Sequence, residues 1–145
     1  MAITTNSITS SFKKELLEAG HNFSTAPAGN TFKLAMYTSA ATLGKGTTSF
    51  TTASEVTSPA GYTSGGKALV NTGTSVSSSV AITSFSNLSF TGVTLTARGA
   101  LIYNNTNSDT AVAVLDFGGD KTATSGTFTI QFPAYTTSAA ILRIA

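Results

Sequence analysis

Beyond Gly20 the pattern of apolar and polar residues changes to a period of two and stays there. Strands have this period because successive side chains leave the backbone on opposite faces. In Thr31-Phe32-Lys33-Leu34-Ala35-Met36-Tyr37-Thr38, it sets Phe32, Leu34 and Met36 to one side and Lys33 and Tyr37 to the other. Phe128, Ile130 and Phe132 alternate with Thr127, Thr129 and Gln131 in the same way. Further strands are expected near 67–71, 79–90, 93–103, 111–117, 126–132 and 139–144. Ala111-Val112-Ala113-Val114-Leu115 is apolar on both faces, which marks a central strand. Residues 39–66 are rich in Ser, Thr and Gly and contain Pro59-Ala60-Gly61, so they read as loop with at most short edge strands. Turn chemistry punctuates the later strands at Asn104-Asn105-Thr106-Asn107-Ser108-Asp109, Gly118-Gly119-Asp120 and Ser125-Gly126.

Helical spacing occurs early. Over 11–19, Phe12 and Leu16 share one face at i,i+4, and so do Lys14 and Glu18 on another. Ser10 or Ser11 suits the N-cap, and Gly20 the stop. So short a helix does not hold alone, so its Phe12/Leu16 stripe must dock on something. Residues 1–10 read as an extended arm with two isolated isoleucines, Ile3 and Ile8, which either stays mobile or pairs with something else. The expected fold is mainly β: an antiparallel β-sandwich or jelly-roll-like domain with one short N-terminal helix. Its expected organisation is an arm over 1–10 and a single domain over 11–145 that includes the helix.

Composition narrows the function classes. Thr (27) and Ser (19) make up nearly a third of the 145 residues, whereas Lys, Arg, Asp and Glu supply only 10%. The outward strand positions are therefore hydroxyls, which suit strands and hydrogen-bond without charge. At 41% hydrophobic residues the chain can form a core, unlike a disordered one. Net charge is +2 and the basic residues are dispersed, with only Lys13 and Lys14 adjacent. A nucleic-acid surface needs clustered positive charge, so no nucleic-acid partner is expected. No apolar run approaches the ~18 residues that cross a bilayer, and no membrane partner is expected. The N-terminal stretch has neither a basic patch nor a continuous apolar run, so a secretory signal is not expected. Cysteine is absent, which removes disulfides and thiolate metal sites.

The chemistry-bearing residues do not assemble into a motif. His21 stands alone, and no Gly-x-Ser-x-Gly elbow accompanies it. Asp116-Phe117-Gly118-Gly119 resembles a kinase metal-binding tripeptide without the other elements that give it meaning. Asp109, Asp116 and Asp120 fall short of the oxygen ligands that calcium requires. Leu43-Gly44-Lys45-Gly46-Thr47 lacks the spacing of a phosphate loop, and Asn-x-Ser/Thr triplets at Asn22, Asn87 and Asn104 are expected by chance. No catalytic, cofactor-binding or metal-binding residue is expected, and the protein reads as non-enzymatic. Such a chain works through its surfaces: low charge permits close packing of copies, and the arm suits strand addition to a neighbour's sheet edge.

Several stretches also stand in an informative order. They are Phe12-Lys13-Lys14-Glu15-Leu16-Leu17, then Asn30 to Thr38, then Tyr62-Thr63-Ser64-Gly65-Gly66-Lys67. Ala97-Arg98-Gly99-Ala100-Leu101-Ile102-Tyr103-Asn104, Val114-Leu115-Asp116-Phe117-Gly118-Gly119-Asp120-Lys121 and Phe128-Thr129-Ile130-Gln131-Phe132-Pro133 follow. From residue 12 to the C-terminus this series resembles a family of small virion structural proteins of tailed bacteriophages. The resemblance implies a phage particle, many identical copies and no enzyme activity, and it carries over no active-site residues. Within a virion, the expected role is capsid decoration or cement on the head surface. The expected partners are the major capsid protein and copies of the chain itself, as a trimer, with Ile3, Ile8, Phe12 and Leu16 at the interface. The alternatives are a tail, neck or baseplate component, and a carbohydrate- or receptor-binding module that stacks sugars on Tyr37, Tyr62, Tyr103 or Tyr135.

Overall fold

Apolar residues that alternate along many short segments can be buried together only if strands from different parts of the chain pair side by side. The computed structural model, which describes residues 3–57 and 61–145, meets this demand with eight strands and one helix. In chain order these are β1 (Ser7–Ile8), α1 (Ser10–Leu17), β2 (Phe32–Tyr37), β3 (Lys67–Ala68), β4 (Asn71–Ser77), β5 (Val80–Phe85), β6 (Leu88–Asn104), β7 (Thr110–Ile130) and β8 (Leu142–Ile144). One antiparallel sheet has the order β1-β7-β6-β2-β3 and the other β4-β5-β8. The fold is mainly β and sandwich-like, as expected.

The large sheet is buried on both faces where β2, β6 and β7 run together. One face carries Phe32, Leu34, Met36, Ala100, Ile102 and Val112 into the main core, which also takes Phe85 of β5 and part of Leu142 of β8. The other face carries Ala35, Tyr37, Leu101, Tyr103, Ala111 and Val114 into a second core, covered by Ile3, Ala41, Leu43 and Phe50. Farther along, β6 and β7 continue as a two-stranded ribbon. Leu88, Phe90, Val93 and Leu95 of the ribbon face the main core, while Thr91, Thr94 and Thr96 face outward. Outward hydroxyls pair across the strands, Ser89 with Thr129 at 3.0 Å and Thr96 with Thr122 at 2.8 Å.

Several expectations need correction. The arm is not a separate element: Ile3 is fully buried, and β1 pairs with β7 through Ser7↔Val114 and Ile8↔Ala113. The helix spans Ser10–Leu17 and is capped by Thr9, whose side chain accepts the Phe12 N–H, rather than by Ser10 or Ser11. Its stop is a paired hydrogen-bond motif in which Ala19 N–H reaches Leu16 O and Gly20 N–H reaches Glu15 O. Ala19, not Gly20, takes the left-handed conformation there (φ 56°).

The strand expected near 79–90 divides between β5 and β6. A hairpin whose Ser78 and Ser79 both have positive φ joins β5 to β4, a strand too polar to be expected. Gly118-Gly119-Asp120 is not a turn. Ala97 pairs with Lys121 and Gly99 with Asp116, so Phe117, Gly118, Gly119 and Asp120 bulge from β7 opposite Arg98 alone. The turn expected at Asn104 to Asp109 is present between β6 and β7. Pro59 and Ala60 lie outside the described residues.

Burial of Ile3 gives the arm a measurable structural weight. Ile3→Ala is expected to destabilise the protein by about 2–5 kcal/mol in denaturant unfolding, as for other fully buried isoleucines. A change below about 0.5 kcal/mol would mean that the arm does not dock.

Candidate functional site

Two buried polar clusters fix the loops around the sheets. Glu55 is buried and accepts hydrogen bonds from Tyr62 Oη (2.7 Å), Ser64 Oγ (2.8 Å) and the Gly65 N–H (2.7 Å). Tyr62 Oη in turn accepts the Met36 N–H at 3.0 Å, and Tyr103 Oη donates to Gly65 O at 2.6 Å. These bonds pin the Tyr62–Gly65 turn to β2 and β6. Gly66 then passes so close to β2 that a Cβ on it would lie 1.8 Å from Leu34 O.

His21 forms the second cluster. Its Nε2–H donates to Glu15 Oε2 at 2.6 Å, and its Nδ1 accepts from Asn104 Nδ2 at 3.0 Å. Asn104 Nδ2 also donates to Asn30 Oδ1 (2.8 Å), while its own Oδ1 accepts the N–H groups of Thr106 and Asn107. The imidazole packs against Phe12 at a ring separation of 4.7 Å, with Phe23 and Phe32 farther off. Both ring nitrogens are therefore engaged with side chains that tie α1 to the sheet. No serine hydroxyl hydrogen-bonds His21 among the described residues, so a Ser-His-Asp arrangement is not formed. No group of three or more His, Cys, Asp or Glu side chains that would hold a metal ion occurs among the described residues either.

The four residues expected at an interface are not brought together on one surface. Ile3 lies in the second core and Phe12 in the main core, where the chain's own apolar residues already cover them. Leu16 is partly buried against the main core, and Ile8 is 37% exposed. The tyrosines expected to stack a sugar are also committed elsewhere. Tyr37, Tyr62 and Tyr103 are buried, and only Tyr135 among the four is exposed.

Solvent reaches the main core along one side of the molecule, where the edges of the two sheets do not pair. β7 is the outermost long strand of its sheet, and on that edge it meets Ser49 at Thr110 and β1 at Ala113 and Val114. β8 is an edge strand of the small sheet. Between β7 and the segment leading into β8 lies an open groove of about 800 Å³, continued by a second of about 450 Å³. Ile8, Ala140 and Ile141 line both, so the two form one trench. Leu115, Phe117, Phe132 and Ile141 line it while only partly buried against the core, beside Phe128 and Ile130. The apolar signal of β7 and Phe132 was visible in the sequence. The unpaired edge was not, because it depends on which strands become neighbours.

Charge around the trench is uneven. Asp116 forms an ion pair with Arg98 and accepts the Gly118 N–H at 2.8 Å. The Gly118 N–H foremost, and then the Arg98 guanidinium, hold the Asp116 carboxyl below its ordinary value. Lys121 lines the trench and Arg143 its continuation. Neither has an acidic partner among the described residues: Arg143 donates to the carbonyls of Thr137 and Ser138.

The buried tyrosines predict an alkaline limit. Burial first, then the Asp109 and Glu55 carboxylates, push the Tyr103 phenol from 10 up to about 12. Burial pushes Tyr37 and Tyr62 higher still. Folded-state values above the unfolded ones stabilise the fold fully below pH 10, and this contribution is lost as pH rises through about 12. Melting temperature is therefore expected to fall steeply over that range, with phenolate absorbance from these tyrosines appearing only on unfolding. A flat profile would contradict their burial.

Compared with protein-family models, curated proteins and solved structures, the chain finds no match.

Proposed function

We propose that the protein is a non-enzymatic structural component of a phage particle, a decoration or cement protein that sits on the head and bridges neighbouring major capsid subunits. The observation that carries this reading is the unsealed side of the sandwich. An apolar-floored trench between the open stretches of two sheet edges is a surface on which another protein can continue the fold. The rest of the molecule supports the same use. The outward face of the β6–β7 ribbon is paired hydroxyls, and net charge is only +2, so copies repel one another weakly when crowded on a lattice. The resemblance to small virion structural proteins of tailed phages supplies the setting. The partners in this reading are the major capsid protein and further copies of the chain. Contacts of modest size suffice when each copy is held at several points, because linked sites raise the effective concentration of one another.

Quantitative mass spectrometry of purified virions tests the reading. The expected copy number is a simple fraction of the major capsid protein's, as icosahedral placement requires. About six or twelve copies would instead match the cyclic symmetry of a neck or tail ring. Absence from the particle would overturn the proposal.

A further inference from the structure

We propose that the trench is a strand-acceptor site for an extended segment of the partner protein, one that alternates apolar with polar residues and carries a carboxylate. This rests on the assembly reading above and adds the chemistry of what docks. β1 already shows how the edge is used: two residues of extended chain pair with Ala113 and Val114, and the Asn6 side chain accepts the Asp116 N–H at 2.6 Å. Beyond that point no strand among the described residues pairs with the outer edge of β7. The bulge at 117–120 interrupts the first part of this edge, and the register shifts again between Ala123 and Phe128, where Ser125 has a positive φ, leaving 121–123 and 128–130 as two short regular runs for main-chain hydrogen bonds. Beneath it, Ala123, Phe128 and Ile130 line the trench together with Ile141 from the opposite wall. An incoming strand would send every second side chain onto that floor.

The charge of the occupant follows from the lining. Asp116, the acid that lines the trench, is matched by Arg98, so Lys121 and Arg143 leave the trench with a positive excess. An acidic segment is favoured there and a basic one disfavoured. A second copy of this chain does not fit the requirement. Glu15 and Glu18 lie in or beside the helix, Glu55 is buried, Asp109 sits in a turn and Asp116 is paired. Asp120 lies in the bulge. The chain has no other acidic residue, hence no free extended acidic segment, and the occupant is a different protein.

Selection from a random dodecapeptide library on the purified full chain tests the proposal. Enriched peptides are expected to alternate apolar residues and to carry Asp or Glu. The best of them, made synthetically, should bind about tenfold more weakly to Lys121→Glu, an exposed change that leaves the core intact. It should lose binding to Ala123→Trp, which fills the trench. Three results would overturn the proposal: no enrichment, enrichment of neutral or basic peptides, or binding unchanged in both variants. Self-association of the protein that Lys121→Glu abolishes would also overturn it, because the occupant would then be a second copy. Particle occupancy separates this inference from the assembly reading. Wild-type occupancy by both variants sinks the trench alone, whereas absence of the wild-type chain from particles sinks the assembly reading and leaves peptide binding to stand.

Discussion

The pairing of β6 with β7 is the constraint on which the other elements depend. These two strands run side by side from Asn104↔Thr110 to Leu88↔Ile130, and near their shared turn both faces are buried. Ala100, Ile102 and Val112 supply one core, while Leu101, Tyr103 and Val114 supply the other, so a slip of one residue would exchange the two sets. β2 attaches to one side of this ribbon and β1 to the other. The arm and the 39–57 loop cover the second core, and α1 with the small sheet closes on the first. The bulge at 117–120 lets β7 stay paired while taking up extra length, and the Arg98–Asp116 ion pair fastens the strands at that point.

With no disulfide to fix them, the loops are held by buried polar side chains that satisfy one another. Glu55 gathers three donors and thereby orders the Tyr62–Gly65 turn against β2. Asn104 connects His21, Asn30 and the turn that follows β6. Residues that look reactive in the sequence thus hold the fold, and removing any one would leave buried partners unpaired. The same economy explains the tyrosines: three of them plug the cores instead of offering a ring to a ligand.

Fold class was legible because period-two patterning is a local property, and Phe32 to Met36 and Phe128 to Phe132 display it without ambiguity. What escaped depended on tertiary partners. Asn71 to Ser77 is polar enough to read as loop and becomes β4 only because β5 pairs with it. Gly118-Gly119-Asp120 has the residues of a turn, and positive φ at Gly118 serves a bulge equally well. Ile3 in a Thr-rich stretch carries no periodic signal, yet it fills a fully buried site against Leu101 and Val114. The trench is the largest such gap: its lining residues are plain in the sequence, but an edge left unpaired is a property of sheet order.

A body stiffened by two cores and open along the β7–β8 trench presents neighbours with a defined place to attach, and this is the central claim of the assembly reading. Amide hydrogen exchange, compared between the free protein and the protein on purified particles, tests it most directly. The account predicts slowed exchange at 122–130 and 139–144 on the particle, with Ser10–Leu17 and 39–57 unchanged. Protection confined to the helix or the 39–57 loop, or no protection anywhere, would contradict it.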